Sequence, residues 1–285
     1  MNSLSREGVG SRTAQRGTLL ESSSPYLNDL RVRDWIATDM LRRNGADVSI
    51  VHNLPEIFDH MPKVQDADRI NWLIANKREQ WPALDAWFAR RHISRFTLHD
   101  LASLPENSIG KRLYGALTEM GLTLELSDYS TPAKHDFEYW WKRYTQVHDF
   151  EHLLVGRKFD SVGEMAPDTF RIANTIKHLG PALGSELCQG LHLTVTCWLS
   201  RTMLHYPEIY IDLLSEFNRG WQLGMESGPV FLANYDDILH LSVSAVRGAV
   251  GVPAVDDQDT TRLSAFWTEK TSALGEAGQF KGAHA

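Results

Sequence analysis

The segment SELCQGLHLTVTCWLSRTMLH, residues 185–205, is almost continuously apolar over a length that suits a helix of several turns. A helix that is apolar on all sides must be surrounded by other elements, because a surface helix shows only one apolar stripe. The segment is not a membrane span, since no apolar run in the chain reaches the ~18 residues that spanning requires. We therefore expect a central, buried helix around which the rest of the chain packs.

Most of the chain beyond residue 25 shows the apolar spacing of helices. The stretches with this spacing are 26–43, 66–92, 108–121, 206–224, 235–252 and 259–278. Pro82 predicts either a new helix or a kink, and Gly121 should end the helix before it. Only 122–130 is a weak candidate for a strand. The sequence therefore predicts an all-α fold made of a single multi-helix domain.

The chain divides into three parts by pattern. We expect a flexible N-terminus over 1–25, an all-helical domain over 26–255, and a C-terminal helix and tail over 256–285. The first 24 residues are rich in Ser, Gly and Arg, which is typical of a disordered bacterial N-terminus. A mitochondrial presequence is the alternative, because three arginines are spread through this stretch.

Charge and cysteine usage exclude some classes of protein. The formal net charge is −7, which argues against a general binder of nucleic-acid backbones. Cys188 and Cys197 fit neither a disulfide framework nor a CxxC metal site. We expect both thiols to be buried as small apolar groups in a reducing compartment.

The tetrapeptide HDFE occurs twice, at 135–138 and 148–151. We expect one helix to run from Thr131-Pro132 to residue 155. On it His148 and His152 lie on the apolar stripe, whereas His135 lies about 160° away on the far side. The two copies therefore cannot serve one site. The first copy has a structural role, with its carboxylates near the start of the helix.

The second copy has the spacing of a metal site. His148 and His152 are at positions i and i+4, so their imidazoles can share one ion. A new helix capped by Asp160 or Ser161 would pack back and bring Glu164 towards His152. Two histidines and a carboxylate suit zinc, and equally a non-haem Fe(II) site. The alternative is a pair of core histidines, each hydrogen-bonded to its surroundings.

Other assignments of these residues stay open. Glu151 is a rival carboxylate, because it lies closer to the apolar stripe than Asp149 does. A phosphohydrolase of the HD type would use His148-Asp149 as its pair, with His135 or another upstream histidine. That interpretation leaves the spacing to Glu164 unexplained.

The pattern H-D-x-x-H-x11-E resembles the signature of the coenzyme Q biosynthesis protein 4 family. The flanking sequence is similar as well. The segments that carry the resemblance are LASLPENSIGKRLYGALTEMGL (101–122), YWWKRYTQVHDFEHLLVGRKFDSVGEMA (139–166), FNRGWQLG (217–224) and YDDILHLSVSAVRGAVGV (235–252). The likeness covers about 95–252, which would be the metal-binding core. The chain departs from the family at Tyr235, where a tryptophan often stands.

The resemblance implies a metal site formed by His148, Asp149, His152 and Glu164, the same four residues being catalytic. The divalent metal would be zinc, with Fe(II) and Mg²⁺ as alternatives. The implied activity is oxidative decarboxylation and hydroxylation at C1 of a 4-hydroxybenzoate-type ring in quinone biosynthesis. The substrate would be a small aromatic, prenylated molecule. A related enzyme of secondary metabolism and a non-catalytic lipid-binding scaffold are the alternatives.

The resemblance also implies a setting for the protein. We expect a bacterial cytoplasmic protein, peripherally associated with a membrane, or the matrix face of the mitochondrial inner membrane in a eukaryote. A homo-oligomer or a biosynthetic complex is expected, without nucleic acid. A cavity between the helix over 133–155 and the run 187–204 should reach the metal. Arg143 and Arg157 should be solvated at the surface.

Overall fold

The computed structural model of the chain describes residues 21–41, 54–121 and 129–268. Its α-helices are α1 (Leu30–Leu41), α2 (Leu54–Val64), α3 (Ala67–Gln80), α4 (Pro82–Arg90), α5 (Leu98–Ala102), α6 (Ile109–Met120), α7 (Asp136–Gln146), α8 (His148–Val155), α9 (Met165–Leu179), α10 (Pro181–His205), α11 (Tyr210–Glu226), α12 (Val243–Val250) and α13 (Thr261–Thr268). Within the described residues, extended pairing is limited to isolated bridges, so the all-α prediction is confirmed. Residues 1–20, 122–128 and 269–285, on which part of the predicted tails and the strand candidate fall, lie outside the described ranges.

Helix α10 is the central element that the apolar segment predicts. It is the longest helix described, and it packs against α1, α2, α3, α9 and α11. Cys188 and Cys197 on this helix are both buried and free, as expected. In the described ranges no helix combines the length and the apolar character that crossing a membrane would demand.

Most of the predicted helix boundaries are confirmed. Pro82 opens α4 directly after α3, so it starts a new helix and does not kink the old one. Gly121 ends α6 in the left-handed conformation with φ of +66°. The stretch 235–252 is helical only in part, because a 3₁₀ turn at Tyr235–Asp237 precedes α12.

The predicted continuous helix from Thr131 to residue 155 is wrong. Helix α7 begins only at Asp136, and Val147 separates it from α8 with φ of −96° and ψ of −1°. The guanidinium of Arg171 donates to the carbonyl oxygen of Tyr144, which would accept from the His148 N–H in an unbroken helix. A distant side chain therefore interrupts the helix immediately before the second HDFE copy.

Helices α9 and α11 touch through their backbones. A Cβ added to Gly220 would lie 2.1 Å from the carbonyl oxygen of Ala166, and one on Gly224 would lie 2.4 Å from that of Phe170. Only glycine allows this approach, because any side chain would hold the helices further apart. Ala166 lies two residues after Glu164, so this glycine seam (Gly220 and Gly224 against α9) fixes the start of α9.

Candidate metal centre

His148, His152 and Glu164 come together where α8 faces the start of α9. The Nε2 atoms of His148 and His152 lie 3.1 and 3.0 Å from the same carboxylate oxygen, Glu164 Oε2. The two rings are nearly perpendicular, with centroids 5.0 Å apart. The side chain of His152 is fully buried, whereas those of His148 and Glu164 are each 19% exposed. The group is therefore open to solvent on one side only.

The loop 156–163 brings Glu164 to the histidines. Gly156 ends α8 with φ of +70°, which turns the chain out of the helix. Asp160 was predicted to cap the new helix, but it holds the turn before the helix: its carboxylate accepts from Gly163 N at 3.1 Å, and the N-cap of α9 is Glu164. The carbonyl oxygen of Asp160 accepts from Glu164 N at 3.0 Å. Helix α9 follows at Met165 and packs against α8.

The surroundings of His152 determine which of its nitrogens is available. Its Nδ1 lies 3.1 Å from the carbonyl oxygen of Lys158. Because a carbonyl can only accept, Nδ1 carries a proton and donates it, which leaves Nε2 as the nitrogen that faces Glu164 and that a metal would use. The ring of Phe159 stacks on the imidazole at 4.4 Å between centroids. A histidine oriented by such a contact is typical of metal sites.

Charge stabilises the pair formed by His148 and Glu164. Burial alone would lower the pKa of His148, but the hydrogen bond and charge of Glu164 outweigh it and raise that pKa to about 9. Burial alone would raise the pKa of Glu164, yet the charges and hydrogen bonds of His152 and His148 hold it below its usual range. Without a metal, a shared proton therefore holds the carboxylate and His148 together.

The donor set fits a divalent metal. One atom from each of the three residues lies within 4.8 Å of the others, a closeness that a shared ion requires. Two imidazole nitrogens and a carboxylate oxygen are the ligands of catalytic zinc sites, which keep a further position open, and of non-haem Fe(II) sites. The partly exposed side of His148 and Glu164 is where such an open position would face.

We expect the affinity for zinc to depend on pH through His148. Its pKa is about 9, so below that pH a metal must displace the proton from the imidazole. The apparent affinity should rise up to about tenfold per pH unit between pH 6.5 and 8.5. Titrations in zinc buffered by a chelator, run in two buffers of different ionisation enthalpy, measure both the affinity and the proton release. An affinity that is flat over this range would contradict the pairing of His148 with Glu164.

The structure does not bring the other two candidate carboxylates into the group. Asp149, also predicted as a ligand, contributes no atom to the set within 4.8 Å, although burial raises its pKa. Glu151 is buried and forms an ion pair with Arg171 at 2.5 Å. Burial raises the pKa of Glu151 to about 7, against the lowering effect of the Arg171 charge. Glu151 therefore belongs to an arginine network beside the group.

Asp168 is a buried carboxylate near the site, and it was not among the residues predicted from the sequence. It lies one turn after Glu164 on α9, so it shares a helix face with that residue. Burial raises its pKa to about 6, while the charge of His148 acts in the opposite direction. The i, i+4 spacing from Glu164 was the signal that could have found it.

Arg143 and Arg157 are buried, and the prediction that they are solvated is wrong. Arg157 pairs with Glu216 on α11, with Nε 2.5 Å from the carboxylate. Arg143 is 3% exposed and donates to Gln146, to Ser94 and to a backbone carbonyl. Among the described residues it has no carboxylate partner, and its Nε has no acceptor.

Arg143 lines a small cavity between α7, α8 and α9. The cavity is also lined by Trp87, Trp140, Tyr144, Val147, Glu151, Phe170, Arg171, Asn174, Thr175 and Phe231. Its volume is about 10 Å³, which is room for about one water molecule. A ring-sized cavity was predicted between the helix over 133–155 and the run 187–204. The observed cavity is a different one, because neither α10 nor His148 lines it. Trp140 and Phe231 fill the space, with ring centroids 5.2 Å apart.

The first HDFE copy has a structural role, as the sequence predicts. The prediction assigned that role to its carboxylates, whereas in the structure the histidine also caps the helix. His135 is the N-cap of α7, and its Nδ1 accepts from Glu138 N at 3.1 Å. The carboxylate of Glu138 accepts in turn from Lys134 N at 2.7 Å. His135 thus stabilises a helix start and takes no part in the candidate metal group, which is formed by His148, His152 and Glu164.

Curated proteins are similar in sequence to part of this chain. In Talaromyces stipitatus, the "Ubiquinone biosynthesis protein coq4, mitochondrial" is 27% identical over 161 residues, which are 55% of this chain and 50% of that protein. In Danio rerio, the "Ubiquinone biosynthesis protein COQ4 homolog, mitochondrial" is 29% identical over 99 residues, 33% of this chain and 36% of that protein. The chain thus spans about half the length of the first of these curated relatives.

A solved structure has the same fold. It is titled a putative ubiquinone biosynthesis protein from Nostoc punctiforme PCC 73102, and it superposes with a TM-score of 0.59 at 20% sequence identity. The superposition covers 78% of this chain and 95% of that chain. At this identity the likeness establishes the fold alone.

The family model described as "Coenzyme Q (ubiquinone) biosynthesis protein Coq4" matches residues 89–253. This range agrees with the likeness seen in the sequence over about 95–252. It contains α5 to α12, and therefore all three residues of the candidate metal group. Because the match covers more than half of the chain, the protein belongs to the Coq4 family, whose members are named for ubiquinone biosynthesis.

Proposed function

We propose that this protein is a metal-dependent enzyme that removes the carboxyl group at C1 of a 4-hydroxybenzoate-type ring and replaces it with a hydroxyl group. The proposal depends on one observation, the convergence of His148, His152 and Glu164 on a point that is exposed on one side only. A bound zinc or Fe(II) ion would act as a Lewis acid towards an oxygen of the substrate, and Fe(II) would in addition supply redox chemistry. Mg²⁺ fits less well, because it prefers oxygen ligands.

The protein side chains have separate roles in this proposal. His152 is oriented by the Lys158 carbonyl, and Glu164 by its position at the start of α9. Overall, the bond between the ring and the carboxyl carbon breaks, CO₂ leaves, and an oxygen atom joins the ring. With dioxygen and water as co-reactants the remaining product is hydrogen peroxide; with an external two-electron reductant, the second oxygen atom leaves as water.

The test of this activity is turnover of the metal-loaded protein. It is incubated with prenylated 4-hydroxybenzoate under air and under nitrogen, and CO₂ and the hydroxylated ring are measured. We expect both products under air only, and neither from the Glu164→Gln variant. Complete absence of turnover of hydroxybenzoates and related phenols, with the metal fully bound, would remove the proposal.

The environment of Arg143 favours a substrate that carries a negative charge. A buried guanidinium without a carboxylate partner is costly, and a bound carboxylate would compensate it. The residue lines the cavity together with Glu151 and Arg171, and the charge of Arg171 also acts on His148. We therefore assign Arg143 to the carboxylate of the substrate. Trp140 or Phe231 must shift to admit a ring, because the cavity holds about one water molecule.

Replacing Arg143 by methionine should weaken the binding of 4-hydroxybenzoate about 10–100-fold, since a hydrogen-bonded charge contributes about 1.5–3 kcal/mol. Binding of the corresponding phenol, which lacks the carboxylate, should change little. Calorimetric titration of both ligands with both proteins measures the difference. Equal weakening of the two ligands would show that Arg143 supports the fold and does not bind the carboxylate.

The cavity has room for about one water molecule and not for a ring, which favours a second candidate, a non-catalytic scaffold within a biosynthetic complex that binds lipid outside this cavity. In that case the metal would only join α8 to α9. As a further alternative, the protein would be a related enzyme that acts on another aromatic metabolite with the same residues. We further propose a peripheral association with a membrane surface, where a prenylated substrate would be found.

A further inference from the structure

Residues 255–264 form a segment that we call the C-terminal strap. The strap begins just after the end of the family match at residue 253. It runs alongside the loop 156–163, which joins α8 to Glu164 and which we call the ligand loop. Gln258 N donates to the carbonyl oxygen of Gly156 at 3.0 Å, and Arg157 donates back to the side chain of Gln258 at 3.2 Å. The two segments are therefore joined at the point where α8 ends.

The strap also holds the middle of the ligand loop. Thr260 donates its hydroxyl to Asp160 Oδ2 at 2.6 Å, and the Ser264 hydroxyl donates to Asp160 Oδ1. Ser264 Oγ accepts in turn from Val162 N at 2.7 Å. Thr260 is 3% exposed and Ser264 is 6% exposed, so these bonds are shielded from water. Both oxygens of Asp160 are thus bound by the strap.

The ligand loop in turn touches two of the three metal-group residues. The Lys158 carbonyl fixes the proton on Nδ1 of His152, and the Asp160 carbonyl accepts from Glu164 N. The ligand loop turns tightly at Gly163, where only glycine fits. A Cβ at this position would lie 2.3 Å from the Lys158 carbonyl oxygen and 3.0 Å from Thr260 Oγ1. A displacement of Asp160 would therefore move both contacts.

We propose that the C-terminal strap is the outer shell of the metal group in this chain, with Thr260, Ser264 and Asp160 as positioning residues for His152 and Glu164. The inference rests on the proposed metal site. It goes beyond that site because it assigns a role to a segment outside the family match. The strap acts through Asp160, and it contacts none of the three ligand atoms itself.

The experiment compares the double variant Thr260→Val/Ser264→Ala with Lys158→Ala. The control removes the exposed ion pair between Lys158 and Asp259 on the same strap but keeps the backbone carbonyl that His152 uses. The zinc dissociation constant is measured by competition with a chromophoric chelator. We expect the double variant to bind zinc about 10–100-fold more weakly, as for other outer-shell partners, and the control to match the wild type.

A second readout needs no metal. Long-range ¹H–¹⁵N spectra of the metal-free protein report which nitrogen of His152 carries the proton. We expect Nδ1 to be fully protonated in the wild type, and a fraction of the double variant to lack the Nδ1 proton. The variant Thr260→Ser keeps both hydroxyls and should match the wild type in spectrum and affinity. If the double variant does not fold, Thr260→Val alone, which removes one of the two hydroxyls bound to Asp160, takes its place and should show the same changes to a smaller extent.

The outcomes separate the two proposals. If the wild type binds no zinc, the proposed metal function fails, and the tautomer spectra still decide the role of the strap. An unchanged spectrum and an unchanged zinc affinity in a folded double variant would overturn the strap proposal. Equal weakening of zinc binding in Lys158→Ala would also overturn it, because that variant leaves Asp160 untouched.

Discussion

Replacing His152 by alanine is expected to lower the affinity of the protein for zinc by more than about 100-fold, because even an outer-shell partner contributes 10–100-fold. The variant removes a fully buried imidazole whose Nε2 lies 3.0 Å from Glu164 Oε2. Elemental analysis after dialysis and competition with a chelator measure the loss. Thermal stability in excess zinc should fall as well, since metal that binds only the folded state stabilises it.

The matched control is His135→Ala, in the other HDFE copy. This residue caps α7, so its loss should destabilise the protein by about 1 kcal/mol, as for other N-caps, without changing the zinc content. An equal loss of zinc in both variants would show that metal content follows general stability and not the group at α8.

Replacing Gly220 by alanine should destabilise the fold by about 3 kcal/mol or more, at the upper end of overpacking effects. The added Cβ would lie 2.1 Å from the Ala166 carbonyl oxygen and 2.1 Å from Thr169 Oγ1, so α9 and α11 must separate. Urea denaturation followed by circular dichroism measures the free energy of unfolding.

Gly115 in α6 provides the comparison for that variant. A Cβ on Gly115 meets nothing within 4 Å, so Gly115→Ala should leave the stability unchanged or raise it by up to ~1 kcal/mol through helix propensity. Similar unfolding free energies for Gly115→Ala and Gly220→Ala would contradict the close approach of the two backbones.

The sequence predicts the helices where local signals decide them. The apolar run of α10, the proline that opens α4 and the glycine that ends α6 each act within a few residues. The break at Val147 could not be predicted in this way. It depends on Arg171, which lies 27 residues from Tyr144 in the chain and reaches its carbonyl only in the folded protein.

In the candidate site, too, the features set by nearby residues could be predicted, and those set by distant residues could not. Helical spacing and one short loop suffice to bring His148, His152 and Glu164 together, and the structure agrees. The state of the arginines depends on distant partners: Glu216, which pairs with Arg157, is 59 residues away in sequence. The placement of Asp149 as a ligand was implied by family resemblance, and the described geometry leaves it outside the group.

The glycine seam between α9 and α11 has a consequence for which metal the proposed site would select. Glu164 precedes Ala166 by two residues, and the Ala166 carbonyl lies against the backbone at Gly220. The carboxylate is thus anchored to a rigid helix pair before any ion arrives, and little conformational entropy is lost on binding. A preorganised cage of this kind discriminates by ionic radius and preferred coordination angle, because it cannot adapt to a poorly fitting ion. Loosening the seam should therefore broaden the range of metals that the protein accepts.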